Sequence, residues 1–376
     1  MDTNSPMNRR TFSVLVATVL FGACSSNDDA AGTTPGSGSS RSEPSTPTAT
    51  QPPENSVVVD TSLPEITTTT VGAPVPTLPL SGLAVPSDEI ARRPALVVKI
   101  DNHPDARPQS GLNSADIVFE ENVENLTRFA AVFHGANADP VGPIRSGRTQ
   151  DVALLGSLNA PLFAWSGGNR RVTDAILNSD LRQFSEGSPG FFRSTSRKKP
   201  HNLYTTTSAM YALAPFGSAP PTAQLSFRTT GDSIAGDDVA GVKISMDGVR
   251  VLWTWDSEMA SFVRQTDDIV HIDELDNQQL NTQNIVILSV AYVPSPADVN
   301  SPEAQTIGTG EAWVLSGGKL VRGQWNRADR AAPFALTDAA GNTILLSPGR
   351  TYVELARSAK AATIPVSADP NSIPYP

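Results

Sequence analysis

The sequence predicts an α/β or α+β amino-terminal domain, then a β-rich carboxyl-terminal domain, with a disordered tether ahead of both. Three observations predict this. Strand-type runs alternate with helical spacing between about residues 80 and 220, the pattern of a mixed domain. From Gly241 onward, strand-type runs follow one another across short turns. Between Ser25 and about Pro79 the chain is mostly Ser, Thr, Pro, Gly and Ala, and such a stretch buries too little apolar surface to offset its ordering entropy. A length of 376 residues leaves room for about two domains at roughly 150 residues each.

The amino terminus reads as an export signal over residues 1–23. Asn8-Arg9-Arg10 is a positive region, and residues 11–23 are a mostly apolar run. That run is shorter than the roughly 20 apolar residues a spanning helix needs. Leu20-Phe21-Gly22-Ala23-Cys24 resembles the lipobox of bacterial lipoproteins, which places a lipid on Cys24, the single cysteine of the chain. Phe21 is bulkier than the residue usual at that position. Arg9-Arg10-Thr11-Phe12 resembles a twin-arginine signal, although Asn8 and Ser13 depart from its flanks, so the export route stays open. Residues 24–79 then serve as a spacer, stiffened by Pro74, Pro76 and Pro79. A brief strand at Val57-Val58-Val59 is not assigned.

Folding is expected from about Leu80. Ala95-Leu96-Val97-Val98-Lys99-Ile100 reads as a buried strand, and Ile117-Val118-Phe119 and residues 128–134 as two more. After Ser146, an expected N-cap, residues 151–158 have helical spacing at Val152, Leu155 and Leu158. Residues 162–165 read as a strand, and Val172-Ala175-Ile176 and residues 205–213 as short helices. In the second domain, residues 242–245, 249–255, 285–293, 311–315 and 319–325 read as strands. Asp247-Gly248, Gly317-Gly318 and Ala340-Gly341-Asn342 mark turns between them. The boundaries are 80–225 for the mixed domain, 226–360 for the β-rich domain and 361–376 for a tail. The β-rich part is also placed to extend the first domain's sheet.

Three polar clusters stand out. Asp101-Asn102-His103-Pro104-Asp105-Ala106-Arg107-Pro108-Gln109 follows the first buried strand, at the end where α/β proteins place ligands. Asp101 and His103 suit acid-base work or, equally, metal ligation; a hydrogen-bonded turn is the plainer alternative. Gly142-Pro143-Ile144-Arg145-Ser146-Gly147-Arg148 precedes a helix, where free N–H groups and two arginines suit an anion. Here the plainer alternative is solvated arginines, or ion pairs with Glu120, Glu121 or Glu124. The third cluster runs from Arg193 through Arg197, Lys198 and Lys199 to His201-Asn202, the most basic stretch of an acidic chain.

The formal net charge of -10 argues against nucleic acid as a partner. There is no GxSxG elbow, Walker-A loop or HExxH helix. Asp101-Asn102-His103 resembles the start of binuclear metal phosphoesterases, but the later GD and GNH segments are missing. No metal and no cofactor are assigned. His134, His271 and Trp253, Trp255, Trp313 and Trp325 are expected to be structural.

Residues 100–112 and Ala115-Asp116-Ile117-Val118-Phe119-Glu120 resemble the YerB-like family of bacterial envelope lipoproteins, built on a domain of unknown function. Val141-Gly142-Pro143-Ile144-Arg145-Ser146-Gly147-Arg148 and Pro200-His201-Asn202-Leu203-Tyr204 are similar to its later motifs. The likeness spans about residues 90–355, including a β-rich second domain. Asn125-Leu126 stands where a glycine pair is expected before Thr127-Arg128, and Gly147 where alanine is expected. The resemblance implies an envelope lipoprotein, supplies no activity, and implies that the three clusters belong to one site.

The candidate ligand-binding set is therefore Asp101, Asn102, His103, Arg107, Glu120 and Arg128 together with Arg145, Ser146, Arg148, Arg197, His201 and Asn202. The leading expectation is a protein lipid-anchored on the outer face of the cytoplasmic membrane that binds a polar or anionic ligand, such as a cell-wall fragment or anionic small molecule. One alternative is a hydrolase or transferase with His103 or His201 as base and Asp101 as its orienting partner. Another is a scaffold for an envelope protein partner.

Overall fold

The computed structural model describes residues 76–376. The export signal, Cys24 and the tether up to residue 75 lie outside the described residues. Order begins slightly ahead of the expected start: Thr77 bridges to Ala84, and Leu78 and Leu80 are both buried. Among the described residues, no helix is long and apolar enough to cross a membrane.

The first strand, β1 (Leu96–Asp101), is buried along its whole length, as its largely apolar run predicts, Lys99 and Asp101 included. It pairs antiparallel with β3 (Leu126–Phe133) and parallel with β4 (Leu162–Ala164). On the far side of β3 lies β2 (Ile117–Val123), and on the far side of β4 lies β5 (Arg182–Phe184). Strand Thr351–Ala356 pairs parallel with β2 and with Asn284–Ser289. The sheet then continues antiparallel through Gly308–Ser316, Lys319–Arg327 and Ala335–Asp338. With Asp237–Asp238 against Lys319–Arg327, it counts eleven strands and runs through both halves of the chain.

A second, six-stranded antiparallel sheet is built around Gly241–Met246, Val249–Asp256 and Ser261–Thr266. Ala361–Ile364, in the segment read as a tail, pairs with Gly241–Met246. Side-chain alternation divides the core in two. Leu96, Val98 and Ile100 of β1 pack in one cluster with Val242, Val251 and Trp253 of the second sheet. Ala95 and Val97 face the other way, in a cluster with Leu154, Leu155, Val172 and Ile176. Those last four come from the end of α2 (Gln150–Leu154) and from α3 (Arg170–Leu177), whereas Met210 of α4 (Thr207–Ala212) joins the first cluster and α1 (Asp88–Arg92) buries no residue.

Two local expectations are corrected. Thr149, not Ser146, is the N-cap of α2, and the helix gives way after one turn to a 3-10 turn at Gly156–Leu158. The expected strand 285–293 ends at Ser289, and Tyr292–Ser295 pairs instead with Asp298–Ala304 in a separate ribbon.

The β2–β3 turn explains why the chain tolerates asparagine where glycine is expected. Only Glu124 and Asn125 separate the two strands, and Asn125 has φ +50°. That is the left-handed region, which asparagine enters more readily than other side chains. Gly147, in place of an alanine, answers to packing: a Cβ there would stand 2.8 Å from Trp165 and 3.0 Å from Ile176.

Candidate functional site

The three polar clusters meet because their backbones pair. The segment 141–145 runs between the carboxyl end of β1 and the strand Leu203–Tyr204. Asp101 N–H donates to the Pro143 carbonyl at 2.9 Å, and Arg145 N–H to that of Lys99 at 2.8 Å. On the other side, Ile144 N–H donates to the Leu203 carbonyl at 2.6 Å. Gly142 permits this approach, since a Cβ there would lie 2.9 Å from the Leu203 oxygen. Residues 101, 145 and 201 are thereby brought to the ends of the parallel strands β1 and β4.

At the centre is the Asp101 carboxylate, almost fully buried. Its Oδ2 accepts from His201 Nδ1 at 2.7 Å and from Arg145 Nε at 3.1 Å, and its Oδ1 accepts from the His103 N–H at 3.2 Å. A carboxylate only accepts, so the neutral His201 ring carries its proton on Nδ1 and its lone pair on Nε2. His103 stacks on His201 with ring centroids 4.6 Å apart and 18° between planes. His103 Nδ1 accepts from the Asp105 N–H at 3.1 Å, capping a 3-10 turn at Pro104–Ala106. Beside this group, the Arg145 side chain is 27% exposed and that of His103 37%, so both present polar atoms to solvent.

Asn102 and Glu120 are enclosed instead. Asn102 Nδ2 donates to Glu120 Oε1 at 3.2 Å and to Thr127 at 2.7 Å. Its Oδ1 accepts from Arg107 Nε and from Gln109 Nε2 at 3.0 and 3.1 Å. Arg107 also pairs with Asp267 at 2.9 Å. Arg197 binds the Pro108 carbonyl at 2.6 Å and Glu274 at 3.2 Å. Asn202 is spent on Arg193 and on the carbonyls of Ser194 and Arg197. These five candidates brace the loops and do not face outward as ligand groups.

The braces reach into the second sheet. Arg264, fully buried, donates to Glu120 at 2.6 Å and to Glu354 at 3.1 Å. Gln109 Oε1 accepts from His271 Nε2 at 2.6 Å; burial holds that imidazole well below its usual pKa, so it is neutral and its Nδ1 accepts from Thr266. These partners from the second half carry no sequence motif. The one available signal was charge inside strand-type runs, at Arg264 and Glu354.

The remaining arginines form a cationic edge. Arg128 reaches the Ser146 carbonyl at 2.9 Å, the one hydrogen bond of its guanidinium found among the described residues. Burial, then the neighbouring Arg148 charge, lowers its pKa to about 10, with Arg145 adding to the effect and Asp101 opposing it. Arg148 pairs with Glu124 at 2.6 Å, so the ion-pair alternative holds for that residue. Burial pushes the Glu124 carboxyl up, but the neighbouring Ser301 hydroxyl and the Arg148 guanidinium outweigh it and hold the pKa at about 2. Ser146 and Arg148 line a polar cavity of about 370 Å³ with Ser166, Asn169 and Ser295.

On the same face of β1 as Asp101, two residues back along the strand, sits a group the sequence reading did not single out. Lys99, fully buried, donates to Asp151 at 2.7 Å and to Glu121. A lysine inside an apolar strand was the visible sign that buried carboxylates must lie opposite.

Residues 80–217 match the family described as protein of unknown function (DUF3048), N-terminal domain, and residues 242–353 match its C-terminal domain. The chain is 26% identical over 297 residues to "Putative lipoprotein YerB" of Bacillus subtilis (strain 168), covering 76% of this chain and 88% of that protein. The crystal structure of YerB protein from Bacillus subtilis superposes with a TM-score of 0.68 at 23% identity. That match covers 77% of this chain and 99% of the other, and it shows a shared fold.

Proposed function

This chain belongs to the YerB-like family, with both DUF3048 domains, and from that premise we propose an exported lipoprotein that binds a polar, anionic ligand beside Asp101 and His201. Cys24 is the tether point, on the outer face of the cytoplasmic membrane. The lipobox-like sequence and the lipoprotein name of the Bacillus subtilis relative support this address.

The observation that carries the ligand reading is the meeting of Arg128, Arg145 and His201 around one buried carboxylate. Arg128 and Arg145 supply more positive charge than Asp101 neutralises, and Arg128 keeps unused donors. Such donors suit a phosphate or carboxylate. Cell-wall fragments and sugar phosphates are the ligand classes that fit the address.

The test is a thermal-shift screen of the full chain against muropeptides, sugar phosphates and nucleotides. A ligand of the folded state raises the melting temperature by mass action. The expected shift disappears in Arg145→Ala and Arg128→Ala; no shift with any compound would overturn the reading.

A second reading is favoured by the 2.7 Å contact of His201 Nδ1 with Asp101. It leaves Nε2 as a base able to take a proton from water or a hydroxyl, with Asp101 orienting the ring. Turnover of a bound ester that stops in His201→Asn, while binding persists, would establish it.

A further inference from the structure

We propose that His103, Asp105 and His201 bind a divalent transition-metal ion of the Zn²⁺ or Co²⁺ type. This rests on the reading of the Asp101–His201 cluster as a ligand site, and it names a second component of what that site holds. One potential ligand atom from each of the three residues lies within 4.8 Å of the other two. The His103 Nδ1 to Asp105 Oδ2 distance is 3.7 Å.

A second, independent feature points the same way. His201 donates Nδ1–H to Asp101 at 2.7 Å, and Asp101 is itself held by Arg145. Metal-binding histidines are characteristically oriented by a carboxylate on the nitrogen away from the metal. Here that arrangement fixes the lone pair on Nε2 before any ion arrives.

The donor set selects the ion. Two imidazoles and one carboxylate suit Zn²⁺ or Co²⁺, whereas Mg²⁺ and Ca²⁺ take oxygen ligands. Three protein ligands leave a fourth position open, and Arg145 beside it favours an anionic oxygen there.

Binding requires one movement. Two rings 18° from parallel and stacked face to face cannot both point a lone pair at one ion. His103 must turn out of the stack, exchanging its contact with the Asp105 N–H for the metal. Its 37% side-chain exposure, and 77% for Asp105, leave both groups free to move.

The experiment titrates the untagged full chain, stripped with a chelator, with Co²⁺ alone and follows ligand-field absorption. The expected result is one ion per chain, displaced by Zn²⁺. The signal is lost in His103→Ala, Asp105→Asn and His201→Ala, with circular dichroism unchanged. Asp101→Asn keeps the stoichiometry but loses about 10–100-fold in affinity. No absorption in the wild type, or unchanged affinity in His103→Ala and Asp105→Asn, overturns the proposal. Inorganic phosphate binding to the stripped chain is measured in parallel. If phosphate binds and Co²⁺ does not, the metal site alone fails; if neither binds, the ligand site fails with it.

Discussion

His201 Nδ1 lies 2.7 Å from Asp101 Oδ2 although the two residues are 100 positions apart in the chain. The contact exists because backbone pairing carries the loop after β1, the segment 141–145 and the strand Leu203–Tyr204 side by side. Asp101 is thus the acceptor on which two distant segments converge.

Asp101→Asn removes the negative charge that Arg145 and His201 share. The expected loss is about 1.5–3 kcal/mol, the usual worth of hydrogen bonds to a charged group. Urea denaturation of the full chain measures it. An unchanged midpoint would show that Asp101 does not hold the three segments together.

Arg128→Met separates binding from stability. Burial and the Arg148 charge already disfavour the Arg128 cation. Its replacement by an apolar side chain of similar length should cost no more than about 1 kcal/mol. Affinity for phosphate should nevertheless drop at least about tenfold, the loss of one charge-assisted contact. Isothermal titration reads the affinity and thermal denaturation the stability; a large loss of stability would make Arg128 a structural cation.

Lys99→Met leaves Glu121 and Asp151 facing each other without their cation. Burial and Asp151 already push the Glu121 carboxyl up, against the pull of Lys99. The expected cost is about 3–5 kcal/mol at neutral pH, typical of breaking a buried pair from one side. Adding Glu121→Gln should recover part of it in the same urea titration. No recovery would mean that packing, not charge, dominates there.

Glu354 sets a pH dependence. Burial, then the Glu120 charge, raises its pKa from 4.5 to about 8, against the pull of Arg264. Between those values the folded chain holds a proton that the unfolded chain releases. This contribution to stability is therefore full below about pH 4.5, falls as pH rises and is gone above about pH 8. Glu354→Gln keeps an acceptor for Trp253 and Arg264 but does not titrate. Its melting temperature should fall less than that of the wild type between pH 5 and 8, and equal slopes would remove Glu354 as the cause.

The strands that were legible in the sequence are those with continuous or alternating apolar residues, such as β1 and Val249–Asp256. Ser261–Thr266 and Thr351–Ala356 were not recognised, because Arg264 and Glu354 interrupt runs that are nonetheless buried. Burial of those polar side chains depends on each other and on Glu120, which is a tertiary fact invisible to local pattern. Asp101, His103, Arg145 and His201 were legible as polar residues in proline-bounded loops. The bracing roles of Arg107, Glu120 and Arg197 were not, since Asp267, Arg264 and Glu274 lie far along the chain, and those of Asn102 and Asn202 depend on how their own loops fold back. Asp105 was quoted within its loop but not chosen, because nothing local reveals that its carboxylate lies near both imidazoles.

The placement of Thr351–Ala356 between β2 and Asn284–Ser289 governs the order of assembly. A ribosome delivers β2 more than two hundred residues before the strand that covers its outer side. Until then, β2 presents an open hydrogen-bonding edge, of the kind that recruits other chains into aggregates. Completion of the large sheet waits on a contact of very long sequence separation, which slows folding. The two family domains are thus distinct in sequence but close together as a single late event. A chain cut before Thr351 would leave the middle of its sheet as two unprotected edges.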